Sequence, residues 1–215
     1  MKALLLVDLY QAKKNGRTIV LIILVFSAIT IFGSGIISAG LFFPLYAMLI
    51  SGMISMTLLA YDEQSHWDVY AQILPCTRRD QVTVKYLDAL IGVGCAWLLF
   101  TVIFAVMAVR GIGSWGDVPV MSGVLLAVGL LPSAILLPVV FRYGVTKGRI
   151  VYYIMIIAVA GCGGGLIAVV GDGSSLSSLP AMPGWLAAVV PAIVAVALFA
   201  ASWALAVRWY EKREL

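Results

Sequence analysis

From Thr18 to Tyr61 the chain runs 44 residues without a charged side chain, room for two membrane crossings of about 20 residues each. Gly33, Ser34 and Gly35, with Gly40 close behind, mark the turn, which predicts spans at 18–37 and 40–60. Further apolar runs predict single spans at 87–109, 119–141, 150–170 and 185–207. The connection 61–86 is long, polar and patterned. The connection 171–184 is rich in Gly, Ser and Pro; its Leu176, Leu179 and Met182, spaced by three, predict an apolar stripe laid on the membrane. Ahead of the first span, 1–16 reads as a short interfacial helix with Asp8, Gln11 and Asn15 on one face and Lys2 and Lys13 near the other. Gly16 then permits a sharp bend into the membrane.

Composition fixes the class. Hydrophobic residues make up 63% and charged residues 11%, with a mean hydropathy of +1.08, whereas soluble domains carry ~25% charged residues. Lipid has to be the solvent for such a chain. Its net charge of +4 is a matter of topology and calls for no nucleic-acid partner. Thirteen of the fourteen Lys and Arg residues fall at one set of span ends, leaving only Arg110 on the other side. The positive-inside rule then makes both termini and the two basic loops cytoplasmic, as an even number of spans also requires. The expected fold is an all-α integral membrane protein of six transmembrane helices. The start does not read as a cleaved signal peptide: "ALLLV" is too short for a hydrophobic region, and Lys13, Lys14 and Arg17 follow it.

Several chemistries are excluded. "GIGSWG" (Gly111, Gly113, Gly116) fits a dinucleotide-binding fingerprint, but it lies between two membrane spans rather than after a strand of a β-α-β unit. The same window fails as a phosphate-binding loop because Asp117 stands where the lysine must be, so the chain is expected to hold no ATP and no cofactor of its own. Cys76, Cys95 and Cys162 form no C-x-x-C pair, and a single histidine, His66, cannot make a paired-histidine metal site. No acid and base are placed to act together, so no enzyme is expected. An ion-coupled carrier needs an ionisable or carbonyl-lined site within the spans. Asp88 lies at the start of the third span, three residues beyond Lys85, its expected local partner; Arg110, Asp117 and Asp172 lie at outer ends. Gly161 and Gly165 form a G-x-x-x-G pattern suited to close helix packing, with a broken ion-coordinating helix as the alternative. Pro132, Pro138 and Pro191 read as tolerated kinks.

The segment Leu58–Leu90 holds half of all the acidic residues. Within it Trp67, Tyr70, Ala71 and Leu74 fall at i, i+3, i+4 and i+7, a helical stripe, with Ser65 as expected N-cap and Asp62 and Glu63 at its positive end. Pro75 stops that helix, and Thr77 with Asp80 forms a capping-box pattern that starts another running into the third span. Such a helix either floats on headgroups or docks a cytoplasmic partner. Four acids (Asp62, Glu63, Asp68, Asp80) are unfavourable beside anionic lipid, and aromatics with Arg78 and Arg79 suit a protein interface, which favours docking.

Tyr61-Asp62-Glu63, Trp67-Asp68-x-Tyr70, Leu74-Pro75, Arg78 and Lys85-Tyr86 resemble the small six-helix bacterial ABC-2-type permeases. So does the opening from Lys2 through Leu5, Asp8, Leu9 and Tyr10 to Lys13. More narrowly, the chain is similar to the membrane subunits of exporters for phenol-soluble modulin-like peptides. The resemblance implies a permease of a bacterial plasma membrane that pairs with a second permease chain, itself or a paralogue, and with two ATP-binding-cassette subunits that hold ATP and Mg. It also implies that 61–86 carries a coupling helix on the ATPase, with the N-terminal interfacial helix packed beside it. The uncharged, Met-, Phe-, Trp- and Gly-rich spans suit an amphipathic peptide or other apolar cargo. An ATP-independent carrier, and a non-transporting sensor or immunity protein docked through the same helix, remain the alternatives.

The charge asymmetry generates a direct test. Cysteines introduced at Ser114 and Ser177 are expected to react with an impermeant thiol reagent in intact cells, while Cys76 stays unlabelled. Labelling of Cys76 from outside would reverse the orientation.

Overall fold

The computed structural model describes residues 5, 7, 8, 10, 11, 17–32, 37–65, 77–111, 115–171 and 184–211. Among them there is no strand. Seven helices are arranged in chain order: α1 (Arg17–Phe32), α2 (Ile37–Ser51), α3 (Ile54–Gln64), α4 (Arg78–Val109), α5 (Asp117–Tyr143), α6 (Val145–Gly171) and α7 (Gly184–Glu211). Residues 5, 7, 8, 10 and 11 are also helical. Among the described residues, four stretches are long and apolar enough to cross a membrane: Phe43–Gln64, Arg79–Val109, Val118–Tyr143 and Val189–Tyr210, with Arg17–Ile31 a shorter apolar helix.

The helices wear their apolar residues outside. On α4, Leu87, Leu90, Ile91, Leu98, Val102, Val106 and Val109 are exposed in a stripe at three- and four-residue spacing. Ile150, Ile154 and Ile157 do the same on α6, and Val189, Ile193 and Val196 on α7. A soluble protein rarely leaves apolar patches of this extent uncovered, whereas lipid tails solvate them. The α5 helix is central, with its most extensive contact against α7 and further contacts to α4, α6 and α2. Phe100, Leu125, Leu136 and Leu137 are almost fully buried in the cores this creates.

With no water in the bilayer, every interrupted backbone bond needs another partner. Pro138 has no N–H, which leaves the carbonyl of Ala134, four residues earlier, without its helical donor. The Ser202 hydroxyl of α7 donates to that carbonyl, and Tyr86 of α4 donates in turn to Ser202 Oγ at 2.7 Å. One proline thereby ties three helices together.

The sequence reads 40–60 as one continuous span, but that region is two helices. The ladder stops at Ser51, Met53 N donates to Ile50 O in a tight turn at 2.9 Å, and Thr57 N resumes the pattern on Met53 O at 3.0 Å. Gly52 sits at this break with its carbonyl accepting from Ser133 Oγ of α5 at 3.4 Å. A β-carbon there would lie 3.1 Å from both Gly129 O and Pro132 Cβ, so any other residue at the break needs α5 to give by a few tenths of an ångström. The turn from α5 to α6 is a single residue, Gly144, whose φ of 84° and ψ of 168° suit glycine alone.

These contacts predict opposite signs for two glycine substitutions. Gly52→Ala forces the Gly129 carbonyl or Pro132 to move and is expected to cost ~1–3 kcal/mol. Gly94→Ala, with nothing within 4 Å, is expected to be neutral or to gain up to ~1 kcal/mol. Thermal unfolding of the detergent-purified variants measures both.

Candidate functional site

The site is the end of the bundle where the second span region finishes and α4 begins. The α4 start is built locally. Thr77 is extended, Asp80 N donates to Thr77 Oγ1 at 3.2 Å, and Thr77 N donates to Asp80 Oδ2 at 3.4 Å. This is the reciprocal cap that the Thr77-x-x-Asp80 spacing predicts, and it fixes where α4 starts.

Two turns further along α4, Lys85 is buried and its Nζ lies 2.7 Å from Asp8 Oδ2 and 2.6 Å from Asp62 Oδ2. Asp8 comes from the N-terminal helical segment, Asp62 from the last turn of α3. One ammonium therefore joins three elements that lie 77 residues apart at the extreme. All three side chains are at most 9% exposed. Charges withdrawn from water to this degree stay only when paired, so these elements are held as one unit.

The pairing corrects the local partnership of Lys85 with Asp88. Asp88 makes no direct ion pair with Lys85, but it is 4% exposed and stands beside the cluster, within the fields of Asp8, Lys85 and Asp62. The reason is directional. Helical side chains lean toward the helix N-terminus, which favours Asp8 and Asp62 as contacts for Lys85, and a lysine three residues before an acid is the poorer orientation for a local pair. Asp62 and Glu63 are also reassigned. They occupy the final turn of α3 rather than the start of a following helix, and Ser65 caps that C-terminal end with its hydroxyl donating to Asp62 O at 3.2 Å. Acids at a helix C-terminus oppose its dipole. Lys85 offsets that penalty for Asp62, whereas Glu63 is left exposed.

A second set of contacts fastens α4 to α7. Arg79 stacks its guanidinium 5.2 Å from the centre of the Trp203 ring, Trp203 Nε1 donates to Thr83 Oγ1 at 3.2 Å, and Tyr210 Oη donates to Gln81 Oε1 at 3.0 Å. Arg142 of α5 lies 4.8 Å over the ring of Trp209. The Trp203, Trp209 and Tyr210 staples are functional-end contacts that the sequence reading missed. Their signal is the aromatic cluster in the last two turns of the final helix, opposite a basic helix start.

Of the remaining residues singled out from sequence, Leu5 is half-buried and Tyr10 is 73% exposed on the N-terminal segment, the opposite disposition to buried Asp8. Arg78 opens α4 and Gly161 and Gly165 lie within α6, with their packing outside what is described. Lys2, Leu9, Lys13, His66, Trp67, Tyr70, Leu74 and Pro75, and the loop residues 172–183, lie outside the described residues. Among the described residues no cluster of His, Cys, Asp and Glu has a geometry that could hold a metal ion.

A family model described as an ABC-2 family transporter protein matches residues 3–211. No curated protein and no solved structure matches the chain.

The ion cluster makes a specific prediction about stability. Lys85→Met leaves Asp8 and Asp62 buried without their counter-charge and is expected to cost ~3–5 kcal/mol. Adding Asp62→Asn to Lys85→Met is expected to recover part of that loss, because one stranded charge is removed. A double-mutant cycle by thermal unfolding in detergent reads the coupling; additive losses would show that the pair is not coupled.

Proposed function

The chain belongs to the ABC-2 family of transporter proteins, and on that premise we propose that it moves amphipathic cargo out of a bacterial cell as the permease of an ATP-driven exporter. The family is that of the membrane subunit and not of the ATPase, so the chain is not itself the enzyme. ATP and Mg belong to two copies of an ATP-binding-cassette partner, and the permease pairs with a second permease chain, identical or paralogous. Six spans with both termini cytoplasmic, in the plasma membrane, follow from the placement of the basic residues. Peptides of the phenol-soluble modulin kind are the cargo that suits the apolar, uncharged span interiors.

The family match carries this reading, and the Lys85 cluster gives it a mechanism. Force made on the ATPase must enter through the segment between α3 and α4. The chain on both sides of that segment is stiffened: Asp62 on the α3 side and Lys85 on the α4 side are ion-paired to each other, and Asp8 adds the N-terminal segment. A push on residues 66–76 is then delivered to α3, α4 and the N-terminal segment together, while the Arg79–Trp203 and Gln81–Tyr210 contacts extend it to α7. Trp67 and Tyr70 are the anchors of the docking helix, with Leu74 in the same stripe, His66 and Glu63 beside it, and Arg78 and Pro75 at the corner.

Trp67→Ala combined with Tyr70→Ala is expected to insert normally, since neither residue lies in a span, yet to lose ATPase co-purification and export together. Each aromatic anchor at an interface centre is worth ~2 kcal/mol or more. The purified chain alone is expected to hydrolyse no ATP. Normal pull-down and export by the double variant would reduce both residues to lipid anchors.

A further inference from the structure

Beside the last two turns of α3 lies a cavity of about 270 Å³ whose walls are contributed by α3 and the start of α6. Its lining changes character along its length. Along α3 it passes from Tyr61 and Gln64 at the helix end, by Thr57 and Ala60, to Met56 and Met53, while α6 contributes Arg149 and Tyr153. Met53 and Gln64 are separated by eleven residues of helical rise, about 16 Å, so the cavity runs from the level of the span end into the apolar layer. Arg149 is exposed and has no ion-pair partner among the described residues. Glu63, the acid nearest in sequence, is not part of the lining and makes no ion pair with Arg149; its Oε1 lies 3.4 Å from where a β-carbon on Gly144 would sit. The rings of Tyr61 and Tyr153, 40% and 57% exposed, belong to its lining. Aromatic rings with a polar edge are the side chains that settle at headgroup level.

A guanidinium and a side-chain amide in one cavity with two methionines match one ligand chemistry, a phosphodiester carrying an apolar tail. We propose that this cavity is a binding site for an anionic phospholipid, with Arg149 and Gln64 on the phosphate and the first acyl carbons against Met53 and Met56. At about 270 Å³ the space is near the small end of ligand pockets, enough for a headgroup and the start of a chain, with the remaining tail in the bilayer. The choice of the cytoplasmic leaflet rests on the orientation proposed above; the site itself does not. Such a lipid would wedge between α3, which leads to the coupling segment, and α6.

The test uses the full-length chain purified in neutral detergent, titrated with phosphatidylglycerol or phosphatidylcholine and read by native mass spectrometry. Phosphatidylglycerol is expected to bind about fivefold more tightly, the factor given by the ~1 kcal/mol of one basic residue facing an anionic headgroup. Arg149→Gln is expected to abolish the preference and Arg149→Lys to keep it. Ala60→Trp, which fills the cavity wall without touching the charge, is expected to weaken retention of the lipid in protein whose melting temperature shows that it is folded. Inorganic phosphate is expected to leave the lipid in place; displacement by phosphate alone would make this a free-anion site and overturn the proposal. Equal retention of the two lipids, or an undiminished preference in folded Arg149→Gln, would overturn it as well. So would expulsion of the lipid by an amphipathic peptide, which would give the cavity to cargo.

Discussion

Lys85 holds its ammonium 2.7 Å from Asp8 and 2.6 Å from Asp62 in a place almost closed to water, and the working end of the bundle is organised around that one charge. A buried ammonium with a single carboxylate would still be poorly solvated, and a buried carboxylate at the end of α3 would oppose the helix dipole. Bringing both acids onto one lysine replaces the lost water. The consequence is mechanical as much as energetic. The N-terminal segment, α3 and α4 cannot separate without breaking both ion pairs of Lys85. Motion at this end of the molecule is therefore expected to be that of a unit.

The same economy of polar groups governs the interior. Lipid offers no hydrogen bonds, and two departures from a regular helix are answered by a specific donor: Ser202 for the carbonyl freed by Pro138, Ser133 for the carbonyl at the Gly52 break. Such interhelical bonds are individually modest, ~0.6 kcal/mol on average in membrane proteins. Their position matters more than their strength, since each sits where a kinked helix meets its neighbour. The break at Gly52 separates α2 from α3, the piece that carries Asp62. The second span region is thus fastened by close packing against α5 at its middle and by an ion pair at its end, and the cavity with Arg149 and Met53 opens along the piece between the two.

Much of this could be read along the chain because it depends on one-dimensional quantities. Apolar runs and basic clusters gave the class of protein and the apolar helices, since the cost of exposing a charge or an unpaired amide to lipid is paid residue by residue. Thr77 and Asp80 gave the start of α4 because a capping box closes within four residues. The family resemblance likewise rested on short motifs, and the match over residues 3–211 agrees with it at the level of ABC-2 transporters. Tertiary structure alone decided the partners of Lys85: Asp88 is near in sequence and stands beside the cluster, but the direct ion pairs go to acids 77 and 23 positions distant. It also decided where the second span region breaks. Nothing in "LISGMIS" distinguishes Gly52 from a tolerated helical glycine until Gly129 and Pro132 of α5 are brought within 3.1 Å of its missing β-carbon, a distance set by packing between helices that no local pattern encodes.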